Sequence, residues 1–407
     1  MMFLWSARTV ELLEFGSENA GLSVVYFLII IYYLIRYSRK QLYKPLFSIL
    51  CVFFIWYIAI CFKYGEIQSI YAGILISTVL AFCAFCIYKR SEFFLYAERV
   101  LTHLCVLSLV VWGLYCLFPS VVGSVMDSLS VGNNDSTMRA NLLVVGIGNQ
   151  DVEGFSLKRN IGFTWEAGRY SCFLVLGLFI NLSLHKMSIS WVNNKSFYIL
   201  LLGLLSTIST TGIMSSLVVL LYYAYNKSAA YRSAIIVLGW LLLPALWGLS
   251  FIGDKIGELL DYEEEISNMQ YIFSEGSVSI TPQRITGAYL EFQNFIHDFW
   301  LGYVTNENSY TVKYLFSGAD VWLSDGFIQI FSMYGIFIGS FFYILLFRSS
   351  LLLSNVFNTK GTLLFAFLFI MISFSYSFWN SSIFLYIIYY CWFNSNKQTE
   401  TPTICAN

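Results

Sequence analysis

Runs of about 16 to 22 apolar residues alternate with short polar breaks along most of the chain. Each is long enough to cross a hydrocarbon core of roughly 30 Å as a helix. Spans are predicted at 21–35, 45–62, 70–88, 100–118, 162–184, 196–208, 212–225, 233–252, 326–347, 361–378 and 381–393, about eleven in all, with a short pair around Ser209 and a tight hairpin at the end. Cations of the short loops gather on one side: Arg36, Arg39, Lys40 and Lys44, then Lys89, Arg90 and Arg99, then Lys186, Lys195, Lys227, Arg232, Arg348 and Lys360. That asymmetry makes this side the cytoplasmic one. The opposite face receives two long connections, 119–161 and 253–325. The expected architecture is all-α, a single polytopic transmembrane domain over 1–407 with two long outer loops.

The second long loop holds a segment with helical periodicity. In "PQRITGAYLEFQNFIHDFW", Ile285, Tyr289, Phe292, Ile296 and Phe299 recur at i+3 and i+4 spacing, while Arg284, Glu291 and Asp298 face elsewhere. Such a helix lies on the outer membrane surface or caps a cavity between spans, with Arg284 near its start. The acidic run before it, Glu258, Asp261, Glu263, Glu264 and Glu265, lacks the Gly-punctuated alternation of a calcium loop and reads as a solvated face.

Composition agrees with this pattern: 58% of residues are hydrophobic, 19% aromatic and 12% charged, and the mean hydropathy is +0.68. A formal net charge of −1 with no basic face gives no footprint for nucleic acid. Most of the nine cysteines lie inside apolar runs, and Cys83 and Cys86 form a C-x-x-C without the polar surroundings that zinc or redox chemistry needs. The first residues carry Arg8, Glu11 and Glu14 where a signal peptide needs an unbroken apolar stretch, so the first spans are expected to direct insertion.

Charge crowds one mouth. In "KRNIGFTWEAGRY", Lys158, Arg159, Glu166 and Arg169 lie where the first long loop enters the fifth span. With a helix beginning near Arg159, Arg159 and Glu166 share a face about 10 Å apart along the axis, and Glu166 and Arg169 are spaced to pair. Two readings stay open: interfacial snorkelling around a structural ion pair, and a site that binds an anionic lipid head group beside a carboxylate.

Four stretches then resemble one family. "RNIGFTWEAG" resembles the R-x-x-G-x-x-x-E motif of the bacterial O-antigen polymerase and ligase superfamily, with Arg159, Gly162 and Glu166 at the matching positions. "LLGLLSTISTTGIMSSLVVLLYY" resembles its short span pair with a T-x-S-R-T-G-like turn. "PQRITGAYLEFQNF" resembles its arginine-led periplasmic segment, and "WLSDGFIQIFSMYGIFIG" its D-N-G-Y-L stretch with a downstream Y-G-I-x-G at Tyr334 to Gly339. Order and spacing match from about 152 to 347, roughly half of the chain.

The resemblance implies a GT-C-like integral membrane glycosyltransferase of the bacterial inner membrane, working on its periplasmic face with an undecaprenyl diphosphate-linked glycan as donor. A diphosphate leaving group needs cations, and Arg159, Arg169 and Arg284 offer bidentate donors for it. No D-x-D occurs in the chain, which fits transfer without a metal or other cofactor. Glu166 and Asp325 are the carboxylates best placed by motif to act as base, with His297, followed by Asp298, as another candidate. Tyr289, Trp300 and Trp322, among other loop aromatics, suit stacking on sugar rings or a membrane interface alike.

Two departures bear on which member is resembled. Ligases carry Arg in the T-x-S-R turn and His in the late motif, where this chain has Thr210 and "SDGF" with Ser324 and Asp325. Both departures favour a polymerase that moves a growing glycan onto a new lipid-linked repeat unit, with a chain-length regulator protein as a candidate partner. The alternatives are an O-antigen ligase and, in another class, a flippase or transporter for lipid-linked oligosaccharides. Against transport, no Asp or Glu is expected near the middle of a span, and no repeat relates the two halves.

Overall fold

The computed structural model describes residues 40–65, 72–88, 92–129, 138–142, 145–152, 155–231, 262–274, 279–280, 284–317, 320–321, 326–379 and 381–394, with a few isolated positions besides. They form helices α1 (Lys40–Tyr64), α2 (Ala72–Ile87), α3 (Glu92–Leu117) and α4 (Pro119–Leu129), then strands β1 (Met138–Leu142), β2 (Val145–Val152) and β3 (Phe155–Gly162). Helices α5 (Ala167–Leu184), α6 (Lys195–Thr207), α7 (Thr210–Lys227) and α8 (Tyr262–Ser274) follow, then strand β4 (Ser279–Ile280), helix α9 (Arg284–His297) and strand β5 (Asp320–Val321). The chain closes with α10 (Gly326–Phe357), α11 (Leu364–Ser373), α12 (Ser382–Ile388) and α13 (Tyr390–Asn394).

Four helices among the described residues are long and apolar enough to cross a membrane, Leu42–Tyr64, Glu92–Leu117, Ala167–Leu184 and Gly326–Phe357. Shorter apolar helices cover Ile74–Ile87, Lys195–Thr207 and Leu364–Ser373. The spans expected at 21–35 and 233–252 lie largely outside the described residues. Helix α5 is central: 89% of it is buried, and it packs against α3, α6, α7 and β3, as befits a helix apolar on all sides. Its inner end is tied by polar groups, since Asn181 donates to Glu98 of α3 at 2.9 Å and exchanges hydrogen bonds with Asn194, the N-cap of α6. All three side chains are buried and mutually satisfied.

The structure is mostly helical, in keeping with the all-α expectation, and the first long loop adds an antiparallel meander of β1, β2 and β3. No helix begins near Arg159. That residue sits on β3, and α5 starts at Ala167 with Glu166 as its extended N-cap. The reason lies at Asn160, fully buried between α3 and α6. Its carbonyl oxygen accepts from Ser108 at 2.6 Å and from the Gly162 N–H at 3.0 Å, and its amide donates to Ser206 at 2.9 Å. Helical geometry would not aim that side chain at both neighbours while leaving the Gly162 N–H to it. Asn160→Ala is expected to lower the thermal unfolding midpoint of the purified protein, since each buried partner left unsatisfied costs about 1–3 kcal/mol.

Two interruptions of helix shape the region around α7 and α9. Between α6 and α7 the chain turns at Ile208, held at φ 46°, and Ser209 caps α7 by accepting from the Gly212 N–H. A β-branched residue at positive φ is strained. The second interruption is inside α10, at Gly335 with φ 76° and ψ 174°. The segment that follows α9 inserts there: Tyr303 N–H donates to the Ser332 carbonyl at 2.9 Å, Val304 N–H to Met333 at 3.2 Å, and Ile336 N–H to Phe299 at 2.9 Å. The carbonyls freed by the break are thus satisfied by protein, the condition under which irregular backbone is tolerated at membrane depth.

The runs expected as spans at 361–378 and 381–393 hold α11 and, separated only by Tyr389, α12 and α13. Helix α11 has 10 residues and α12 has 7, a rise of roughly 15 Å or less each. They flank a non-helical stretch in which Ser375, Tyr376, Phe378, Trp379 and Ser381 are buried.

Candidate functional site

That buried stretch, the start of α5, the start of α7 and the start of α9 meet at one place. Arg284, the first residue of α9, donates through Nη1 to the Ser375 carbonyl and through Nη2 to the Tyr376 hydroxyl at 3.2 Å, and its guanidinium lies 4.8 Å from the centre of the Tyr376 ring. Nη2 also faces Glu166 Oε1 at 3.8 Å. Side-chain exposures of 39% for Arg284 and 33% for Glu166 leave both open to a ligand.

Electrostatics make this an unusual place for a cation. A helix N-terminus carries partial positive charge, so an arginine there is on the wrong end of the macrodipole. Burial also works against the Arg284 charge, yet the Tyr376 hydroxyl and the Glu166 carboxylate more than offset it, and the guanidinium stays above its ordinary pKa. The Glu166 side chain makes no cap bond to α5 and so turns to Arg284. A partly exposed pair at this distance contributes little to stability; what it does is hold opposite charges side by side, each about a third exposed.

The rest of the wall is polar. Thr211, in the first turn of α7, shares a hydrogen bond with Ser375 at 2.7 Å, and Ser171 of α5 donates to Ser209 at 3.1 Å. The strained turn at Ile208 thereby brings the N-terminus of α7 to this corner, and the positive end of a helix dipole favours an anion. Gly168 leaves room for Tyr376: a Cβ there would stand 2.1 Å from the tyrosine hydroxyl.

The residues expected from the sequence divide. Glu166 and Arg284 are brought together. Arg169 is buried within the same corner, with its guanidinium 5.2 Å from the centre of the Phe378 ring. Arg159 shares a strand face with Ile161, which packs on Trp165 and Ala167 at the start of α5, so two residues along β3 put it roughly 7 Å further out. It forms no ion pair with Glu166 among the described residues, and its buried Nε has no hydrogen-bond partner. The shared helical face expected for Arg159 and Glu166 does not exist.

His297 lies at the far end of α9, thirteen residues from Arg284 and therefore roughly 20 Å along the axis. Its ring stacks on Tyr310 at 3.7 Å, while Asp298 is ion-paired with Lys63 of α1. The two neighbours serve different contacts and do not form a base pair at the mouth. Tyr289 and Trp300 are exposed on the outward side of this region. Asp325 and Trp322 lie outside the described residues, although Gly326, which follows Asp325, packs against Tyr376 and Ser377.

Sequence reasoning missed Ser375 and Tyr376, which fall in what reads as the end of a span. A signal was present in "SYSFWNSS", 375–382, where five polar residues interrupt an apolar run and polar groups at membrane depth mark function. Comparison of the chain with protein-family models, with curated proteins and with solved structures finds no match.

Proposed function

We propose that the protein polymerises lipid-linked oligosaccharide repeat units, transferring the growing glycan from undecaprenyl diphosphate to a new undecaprenyl diphosphate-linked unit on the periplasmic face of a bacterial inner membrane. The observation that carries this reading is Arg284, a guanidinium held charged and partly open at a helix N-terminus, beside a carboxylate and a second buried arginine. The four-motif resemblance supplies the substrate class, and two of its motif residues, Glu166 and Arg284, lie in contact.

In the proposed reaction an acceptor hydroxyl attacks the anomeric carbon of the donor, the bond to the diphosphate oxygen breaks, and the diphosphate leaves with its electron pair. Arg284 binds that developing charge, helped by the N–H groups of α7 and by Arg169. Tyr376 orients the guanidinium through its hydroxyl. Glu166 either organises Arg284 or accepts the acceptor's proton, a task for which Asp325 is the other candidate. Arg159, on the rim, suits the second diphosphate.

The test is complementation of a deletion strain, with surface polysaccharide resolved on a gel. A deletion that leaves core carrying a single repeat unit supports polymerisation. Bare core with accumulated lipid-linked polymer would instead make the protein a ligase. Tyr376→Phe is expected to shorten or deplete the polymer ladder while membrane levels of the protein are kept. A hydrogen bond to a charged group is worth about 1.5–3 kcal/mol, which corresponds to a rate loss of roughly ten- to a hundredfold if orientation of Arg284 limits transfer.

A further inference from the structure

Helix α9 is amphipathic, but its faces are reversed from those of a helix on a soluble protein. The polar stripe points inward: Arg284 to Ser375 and Tyr376, Glu291 to the hydroxyls of Tyr303 and Ser332, Asn294 to Thr311. Glu291 and Asn294 are fully buried. The apolar stripe points outward, with exposures of 37% for Tyr289, 45% for Phe292, 51% for Ile296 and 38% for Phe299. At 3.6 residues per turn the two stripes lie roughly 150° apart.

This outward stripe does not end with the helix. Trp300, 63% exposed, stacks on Phe337 with ring centroids 5.6 Å apart. Phe337 in turn begins a row on the membrane-crossing part of α10, with Ile344 and Leu351 at seven-residue spacing and exposures of 63%, 56% and 57%. A large apolar row of this kind along a span is what lipid covers. The surface of α9 is thus continuous with a lipid-facing surface, and its aromatic residues are those enriched where hydrocarbon meets head groups.

We infer that α9 lies in the plane of the outer membrane–water interface with Tyr289, Phe292, Ile296, Phe299 and Trp300 on lipid acyl chains, so that lipid, and no protein subunit, covers this face. The inference stands apart from the proposed reaction and holds for any activity at Arg284. One consequence is positional: the inner face of the same helix carries Arg284 at head-group depth.

Depth-dependent quenching tests it. An environment-sensitive fluorescent amino acid is placed at Phe292 or Ile296 of the full chain, with Glu307, exposed in the following loop, as control. The protein is reconstituted in phosphatidylethanolamine–phosphatidylglycerol vesicles containing lipids brominated high or low on the chain. An apolar face sits roughly 5–10 Å into the head-group and acyl boundary. The labels at 292 and 296 should therefore lose about half of their emission to bromines high on the chain, less to bromines near the bilayer centre, and the 307 label almost none. Unquenched labels at both positions, whether their emission is water-like or blue-shifted by a protein cover, overturn the inference. A label at Trp300 carries the same test should either substitution disturb folding, judged by elution as a single species.

Discussion

Arg284→Ala is expected to abolish visible polysaccharide polymer while leaving the protein in the membrane at wild-type level. Arg284 has five N–H donors. Two of its nitrogens engage Ser375, Tyr376 and Glu166, so donor capacity remains for a ligand on a side chain that is 39% exposed. Removing one preorganised donor from a site where negative charge develops costs roughly 10²–10³ in rate, about 3–4 kcal/mol. Folding loses a partly exposed ion pair, about 0–1 kcal/mol, and the hydrogen bonds to Ser375 and Tyr376, so the level of protein in the membrane is read alongside the polymer. Arg284→Lys separates charge from geometry: it restores the point charge but not the planar fork, and a partial ladder is the expected result. The readouts are the gel and an immunoblot of membranes run side by side. Loss of polymer together with loss of protein would assign the defect to folding, and a full ladder from Arg284→Ala would remove this residue from the reaction altogether.

Gly335→Ala is expected to have the opposite profile, a large loss of stability that precedes any question of activity. At φ 76° and ψ 174° Gly335 occupies a region open in practice to glycine alone, where another residue costs roughly 1–3 kcal/mol in backbone strain. Its Cβ would also stand 2.2 Å from the Trp300 carbonyl oxygen, and a Cβ on Gly302, at φ 79°, would meet the Met333 carbonyl at 2.3 Å. Neither obstacle is a flexible side chain, so relief requires the inserted segment to leave. The Ser332 and Met333 carbonyls would then lose the Tyr303 and Val304 N–H groups. Thermal unfolding in detergent should show a midpoint well below that of wild type, and a midpoint within error of wild type would mean that the break in α10 is not held by this contact.

Much of the helical framework is legible because apolar runs report it directly: those at 45–62, 100–118, 162–184 and 326–347 fall on α1, α3, α5 and α10. Helix α9 is legible in its period but not in which side faces out, since a 3.6-residue pattern marks two faces without saying which one meets protein. Glu291, fully buried under Tyr303 and Ser332, shows how far a polar stripe can turn inward. The meander of β1 to β3 is missed because its ladder is irregular, with register shifts in both pairings, and because Asn160 draws its reason to be buried from Ser108 and Ser206, each about fifty residues away. Tyr376 is missed on the same grounds. Its partners Arg284 and Gly168 are remote in sequence, and only the polar residues around it hint at an interruption. Short-range pattern finds elements; the corner where four of them meet is a long-range property.

The insertion at Gly335 also bears on how the protein is made. The segment from Phe299 to Val304 precedes α10 in the chain, so its docking site does not exist until α10 has been made. Until α10 arrives, the N–H groups of Tyr303 and Val304 have no Ser332 and Met333 carbonyls to meet, and α10 in turn cannot complete its own backbone hydrogen bonding without them. Docking of the segment therefore cannot precede the synthesis of α10. The Arg284 corner is finished later still, because Ser375 and Tyr376 follow α10 in the chain.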